Sequence, residues 1–101
     1  MSEIAVSDQC VFDKQKDIVH RTIAGESLLV PIRGELADMQ RIFALNPVAD
    51  FIWQRIDGTA SLGQITSAVT VDFDTDAAQA ATDTAALIAD LAAAGLIVRV
   101  R

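Results

Sequence analysis

The sequence predicts an α+β domain: three antiparallel strands followed by three helices, with a short strand closing the chain. Three observations carry this prediction. Residues 17–45 hold short β-branched runs separated by turn residues. At Asn46-Pro47 the hydrophobic period changes from strand-like to helical. From there to Gly95, each apolar-periodic stretch is bracketed by capping and stop residues.

Residues 1–16 show no clear period. Ile4, Val6, Val11 and Phe12 are apolar, and the stretch reads as an N-terminal arm ahead of a domain spanning residues 17–101. The runs DIVHRTI and SLLVPI then read as strands, joined through AGE with Gly25 as the turn residue, which makes a hairpin. Pro31 lies late in the second run. It has no N–H for a ladder, so it belongs at a strand end or a bulge. RGELADMQ follows as a loop and RIFAL as the third strand.

Asn46 is a good N-cap and Pro47 suits the first helical position. Val48, Phe51, Ile52 and Ile56 recur at helical spacing, and Asp57-Gly58 stops the helix. Ser61 with Gln64 three residues on is a capping box, and Leu62, Ile65, Ala68 and Val69 give the second helix its buried stripe. VDFDTD is a connector, with Asp74 or Thr75 as the next cap. The third helix runs from about Asp76 to Ala94 and stops at Gly95. Ala80, Thr84, Leu87, Ile88 and Leu91 share one face, while Asp76, Gln79, Asp83 and Asp90 lie opposite. Ala81, Ala85, Ala89 and Ala92 form a flank between the two. LIVRVR reads as the short final strand.

Totals narrow the functional classes. A chain of 101 residues makes one domain. Fourteen acidic against eight basic residues give a formal charge of −6. Phosphate backbones bind clustered Lys and Arg, and the nearest approach here, Lys14, Lys16 and Arg21, is broken by Asp17. Nucleic acid is a poor partner on these grounds, and a basic protein or peptide a better one. One cysteine, Cys10, builds no disulfide framework. The N-terminus lacks a basic start followed by an apolar stretch, and no apolar run approaches membrane-spanning length. A cytoplasmic protein with no membrane partner is the expectation.

No constellation of catalytic chemistry is legible. A metal site needs converging ligands, and the chain offers one histidine, His20, and one cysteine. His20 reads as a surface residue on a strand, and Cys10 as a small apolar filler. Ser27 and His20 lie on neighbouring strands, but no strained elbow or oxyanion-binding glycine loop accompanies them. The five glycines are scattered at turns and helix ends, not gathered into a phosphate loop. Asp72, Asp74 and Asp76 lack the later Gly and Glu of a calcium loop and read as helix-capping acids. An acyl carrier would need a serine at a helix start to bear its arm; Ser27 falls in a strand and Ser61 is already a cap. The expectation is a non-catalytic chain without cofactor or metal.

The stretch LNPVADFIWQRIDGTASLGQI, preceded by ESLLVPIRGELADMQRIFAL and followed by LIADLAAAGLI, resembles the PqqD family. The likeness spans about residues 17–98. It implies a winged-helix-like fold with three antiparallel strands and three helices. It also implies a non-catalytic recognition element of ribosomally made, post-translationally modified peptides. Such an element holds the leader of a precursor peptide for a modifying enzyme, often a radical S-adenosylmethionine enzyme. The resemblance places the peptide along the third strand and in the cleft beside the third helix. Carried onto this chain, those positions are Arg41, Ile42, Phe43, Ala44 and Leu45 on the strand. On the helix they are Ala81, Ala85, Ile88 and Ala89. Trp53 resembles the family's tryptophan of the first helix and reads as core.

The residues support the same picture independently. A meander of three strands leaves the third with an open edge, and an open edge accepts an extended peptide by strand addition. Small side chains on the Ala81–Ala85–Ala89–Ala92 flank would leave room for that peptide. If the cleft lies on the other flank, Asp76 and Asp83 line it and the ligand is basic. Two other readings stay open. A winged-helix DNA-binding regulator would need a basic recognition helix, whereas the second helix has no Lys or Arg and the third is acidic. A structural dimerisation module would use the same edge to pair two copies of the chain.

Overall fold

The computed structural model describes residues 7–34 and 41–101, so the predicted loop at 33–40 lies mostly outside the described residues. Its elements in chain order are β1 (Phe12–Lys14), β2 (Ile18–Ile23), β3 (Glu26–Pro31), β4 (Phe43–Leu45), α1 (Pro47–Arg55), α2 (Leu62–Asp72), α3 (Ala77–Ala93) and β5 (Ile97–Arg99). Strands β2, β3 and β4 form an antiparallel sheet in that order, and β1 pairs antiparallel with β5. This is the α+β architecture the sequence predicts. No helix among the described residues is long and apolar enough to cross a membrane.

The β2–β3 hairpin closes on Ala24-Gly25, with Ile23 opposite Glu26. Both turn residues have positive φ, 54° and 84°, the geometry that matches the twist of paired strands. Gly25 adopts it freely, whereas Ala24 meets its own Cβ. Pro31 ends β3 opposite Ile18. The partner strand β4 extends along β3 only as far as Leu29, so the missing N–H costs no ladder bond. Of the predicted strand RIFAL, only Phe43–Leu45 pairs; Arg41 and Ile42 precede it and are exposed.

Asn46 caps α1 through Oδ1, which accepts the Ala49 N–H at 2.7 Å. The helix stops at Arg55, and Asp57 then organises the turn: its Oδ1 accepts the backbone N–H groups of Thr59 and Ala60, each at 2.9 Å, and the Thr59 hydroxyl at 2.8 Å. These donors hold the Asp57 carboxyl down at about 2. Ser61 and Gln64 form the reciprocal capping box of α2. Asp76 caps α3, accepting the Gln79 N–H at 2.8 Å. The expected caps, Asp74 and Thr75, lie too early because Asp74 is spent on the left-handed turn that leaves α2, at φ 51°; aspartate tolerates that conformation better than most residues.

The stretch read as an arm contributes to the core. Cys10, Val11 and Phe12 are buried. Their backbone supplies partners to the start of α2: Leu62 N–H donates to Cys10 O and Gly63 N–H to Asp8 O, both at 2.9 Å. Gly58 N–H donates to Phe12 O at 3.0 Å. Strand β5 crosses on the other side, with Val100 N–H reaching Val11 O at 2.8 Å. A Cβ on Gly63 would stand 3.2 Å from Asp8 Cβ, so the close approach leaves little space for a side chain.

One core joins the layers. Leu29 from the sheet, Ile52 and Trp53 from α1, Ile56 just past its end, Ile65 and Val69 from α2, and Ile88 and Leu91 from α3 are all buried. The predicted stripes hold with graded exceptions: Val48, Phe51, Ala68 and Leu87 are only partly buried, while Ala49 and Trp53 are more buried than the period suggests. Trp53 is 3% exposed. The Lys14 ammonium lies 5.2 Å from its ring centroid and donates to Ile56 O at 2.8 Å. Burial pulls that ammonium below its ordinary value, opposed by Asp57 and Asp13. Phe51 meets Phe73 edge-on at 5.2 Å, fixing α1 against the end of α2.

Three outcomes follow from this packing. Trp53→Ala loses about 3–5 kcal/mol of stability in denaturant titration, the usual loss for a truncated core aromatic. Ala24→Asn gains about 0.5–1 kcal/mol by relieving the left-handed alanine in a turn that favours Asn-Gly. Asp57 has its folded pKa depressed to about 2, so its contribution is whole above the ordinary carboxylate value of about 4 and is lost as pH falls through about 2. Asp57→Ala therefore melts below wild type at neutral pH, and the gap between the two melting curves closes on acidification.

Candidate functional site

Strand β4 is held on one side only. It pairs with β3 in the register Ser27↔Leu45, Leu28↔Ala44 and Leu29↔Phe43. On its far side, among the described residues, no strand is present. In an antiparallel strand every second residue turns its N–H and C=O away from the partner, so β4 presents backbone donors and acceptors along an open edge. Phe43 and Leu45 point to the core face and Ala44 to the other, as their burial shows. Arg41 stacks its guanidinium 5.2 Å from the Phe43 ring centroid at the strand's start.

At the other end of β4 the chain passes directly through Asn46 into α1. A concavity of about 180 Å³ opens there between the start of α1 and the middle of α3. Asn46, Val48, Ala49 and Ile52 line it from one side and Asp83, Ala86 and Leu87 from the other. The lining is mostly apolar, and Leu87 is the core-stripe residue left half-exposed at its wall. The Asp83 carboxylate stands at the rim, where Gln79 Nε2 donates to its Oδ1 at 2.8 Å.

The expected site residues divide into groups. Arg41, Ile42 and Ala44 are exposed along the open strand, Phe43 is half-buried and Leu45 is buried. Ala81, Ala85 and Ala89 are exposed, but the concavity takes Asp83, Ala86 and Leu87 from α3 in their place. Ile88 is completely buried; it sits at the centre of the core stripe and is sealed from any ligand. Asn46, Val48, Ala49, Ile52, Ala86 and Leu87, which line the concavity, were not among the expected site residues. Two signals bore on them: the expected direct passage from strand to helix at Asn46-Pro47, and the Asp83 flank as the other side on which a cleft could lie.

The single histidine and the single cysteine are both engaged. His20 Nε2 lies 2.6 Å from Asp50 Oδ1, joining β2 to the first turn of α1, and Gln54 donates to the second carboxylate oxygen at 2.9 Å. Cys10 is buried beside Ser7, whose hydrogen bonds pull the thiol below its ordinary value. Among the described residues no group of three or more His, Cys, Asp or Glu gathers at metal-binding distance.

Comparison with known proteins bears on this arrangement. A solved lasso peptide synthetase B1, complexed with its leader peptide, superposes with a TM-score of 0.71 at 21% identity, covering 86% of this chain and 96% of that one. TbiB1 in complex with the TbiA(β) leader peptide superposes with a TM-score of 0.68 at 19% identity, covering 84% of this chain and 93% of that one. At these identities the likeness establishes the shared fold. No curated protein sequence matches significantly. The family model for coenzyme PQQ synthesis protein D matches residues 26–97, from the start of β3 through all three helices to the start of β5; the chain belongs to the PqqD family.

Proposed function

We propose that this chain is a non-catalytic recognition element that holds the leader of a ribosomally made precursor peptide on the β4 edge and presents it to a modifying enzyme. The observation that carries this reading is the juxtaposition of an unpaired strand edge with a half-open, apolar concavity at the strand's end. Backbone bonds along an edge supply affinity with little sequence demand, and a side-chain pocket beside it supplies selectivity. Family membership and two folds solved with leader peptides support the same occupant. A radical S-adenosylmethionine enzyme is the partner class we favour for the modification step.

The other readings lack comparable support. A recognition helix for DNA needs clustered cations, whereas α2 and α3 carry no Lys or Arg between them and the chain is acidic overall. Catalysis by the chain itself would need a nucleophile and base in contact. His20 is committed to Asp50, and Cys10 is packed in the core. The modifying chemistry therefore belongs to the partner, and this chain contributes position.

The ligand is expected along the flank of α3 that carries Asp83, Ala86 and Leu87. A cognate or copurifying leader peptide is the probe, titrated by fluorescence anisotropy with melting curves as a folding control. Ala86→Trp fills the concavity from an exposed position and weakens binding at least tenfold without lowering the melting temperature. Ala85→Trp, on the alanine flank, leaves binding unchanged. The reverse pattern would move the peptide to the alanine flank, and unchanged binding in both would remove it from α3 altogether.

A further inference from the structure

The chemistry of the groove wall specifies what the held peptide carries. Resting on the peptide-binding reading above, we infer that the recognised segment contains an aliphatic residue that enters the α1–α3 concavity and a lysine or arginine two positions away that pairs with Asp83. The concavity has about 180 Å³ and walls of Val48, Ala49, Ile52, Ala86 and Leu87, with Asn46 and Asp83 as its polar members, which suits one branched aliphatic side chain. Asp83 stands one helical turn before Leu87. Four helical residues advance about 6 Å, and side chains on one face of an extended peptide recur every ~6.8 Å. An aliphatic side chain against Leu87 thus brings its second neighbour level with Asp83.

Charge complementarity selects the sign of that neighbour. Asp76, Asp83 and Asp90 are spaced seven residues apart and fall in one line along α3 at intervals of about 10.5 Å. The ion pair found among the described residues is elsewhere, between His20 and Asp50. Among the described residues no cation stands in salt-bridge contact with these carboxylates, of which Asp83 lines the concavity. An acidic peptide would be repelled along its whole length, and a basic residue at the right register is rewarded. Gln79 engages one oxygen of Asp83, and the side chain is exposed.

The test is selection from a random dodecapeptide display library on the full chain, in parallel with Asp83→Lys and Ala86→Trp. Wild type is expected to enrich Lys or Arg two positions from Leu, Ile or Val, and Asp83→Lys to exchange that basic preference for Asp or Glu. Synthetic peptides from the wild-type pool should bind Asp83→Asn about fivefold more weakly, the scale of one partly exposed ion pair, and the loss should shrink at high salt. Enriched peptides that are lost on Ala86→Trp yet show no basic preference, or keep their preference in Asp83→Lys, would overturn this inference and leave peptide binding at the groove standing. Failure of wild type to enrich any peptide, or binding undiminished by Ala86→Trp, would overturn the groove assignment and this inference together.

Discussion

The backbone of residues 8–12 is the strap on which the helical half of the molecule depends. Helix α2 begins with donors that have no partner inside the helix. Two of them are satisfied by carbonyls of Asp8 and Cys10, while the Ser61–Gln64 pair supplies the capping box. The same strap takes the Gly58 N–H at Phe12 and binds the end of β5 through Val11. It therefore ties the α1–α2 link, the start of α2 and the strand that follows α3 into one unit. Burial of Cys10, Val11 and Phe12 drives this docking, each apolar side chain gaining roughly 25 cal/mol for every Å² removed from water. Once the helices are fixed, the sheet has a rigid wall to pack against.

The groove is a consequence of how little chain separates β4 from α1. Asn46 ends the strand and caps the helix in a single residue, and Pro47 sets the first helical φ. The open edge and the apolar start of α1 are thus held in one fixed relation. Helix α3 supplies the opposite wall with residues beside its core stripe, because Ala80, Thr84, Ile88 and Leu91 are consumed by the interior. The Thr84 hydroxyl is buried without a hydrogen-bond partner among the described residues; the structure offers no physical account of its retention.

Polar links set the sheet relative to the helices. The His20–Asp50 pair bridges β2 to α1 on the side of the sheet away from β4, so the edge proposed to bind peptide is free of that tether. The Lys14 ammonium, held over Trp53 and against Ile56 O, closes the end of α1. Both links leave β4 exposed as a pairing edge. Such an edge is an aggregation hazard in an ordinary domain and an asset in one that receives an extended chain.

The sequence by itself determined the elements whose causes are local. The Ala24-Gly25 turn, the Asn46-Pro47 helix start, the Ser61–Gln64 box and the stop at Gly95 depend on residues within a turn of one another, and each is where local chemistry puts it, whereas the first helix ends at Arg55, ahead of the expected stop at Asp57-Gly58. The Asp83 alternative was also legible, since its place relative to the core stripe follows from the helical period alone. What only the tertiary structure decided is pairing and facing. Residues 10–14 have no period because their partners are β5 and the N-terminus of α2, more than forty residues away. Periodicity likewise gave α3 a core face with Leu87, an opposite face with Asp83 and an alanine flank between them, without saying which residues would face α1; the structure brings Asp83 and Leu87 to one concavity. That choice depends on how the helix is rolled when Ile88 and Leu91 enter a core shared with Leu29 and Ile52, and a stripe's position on its own helix carries no information about what lies beside it.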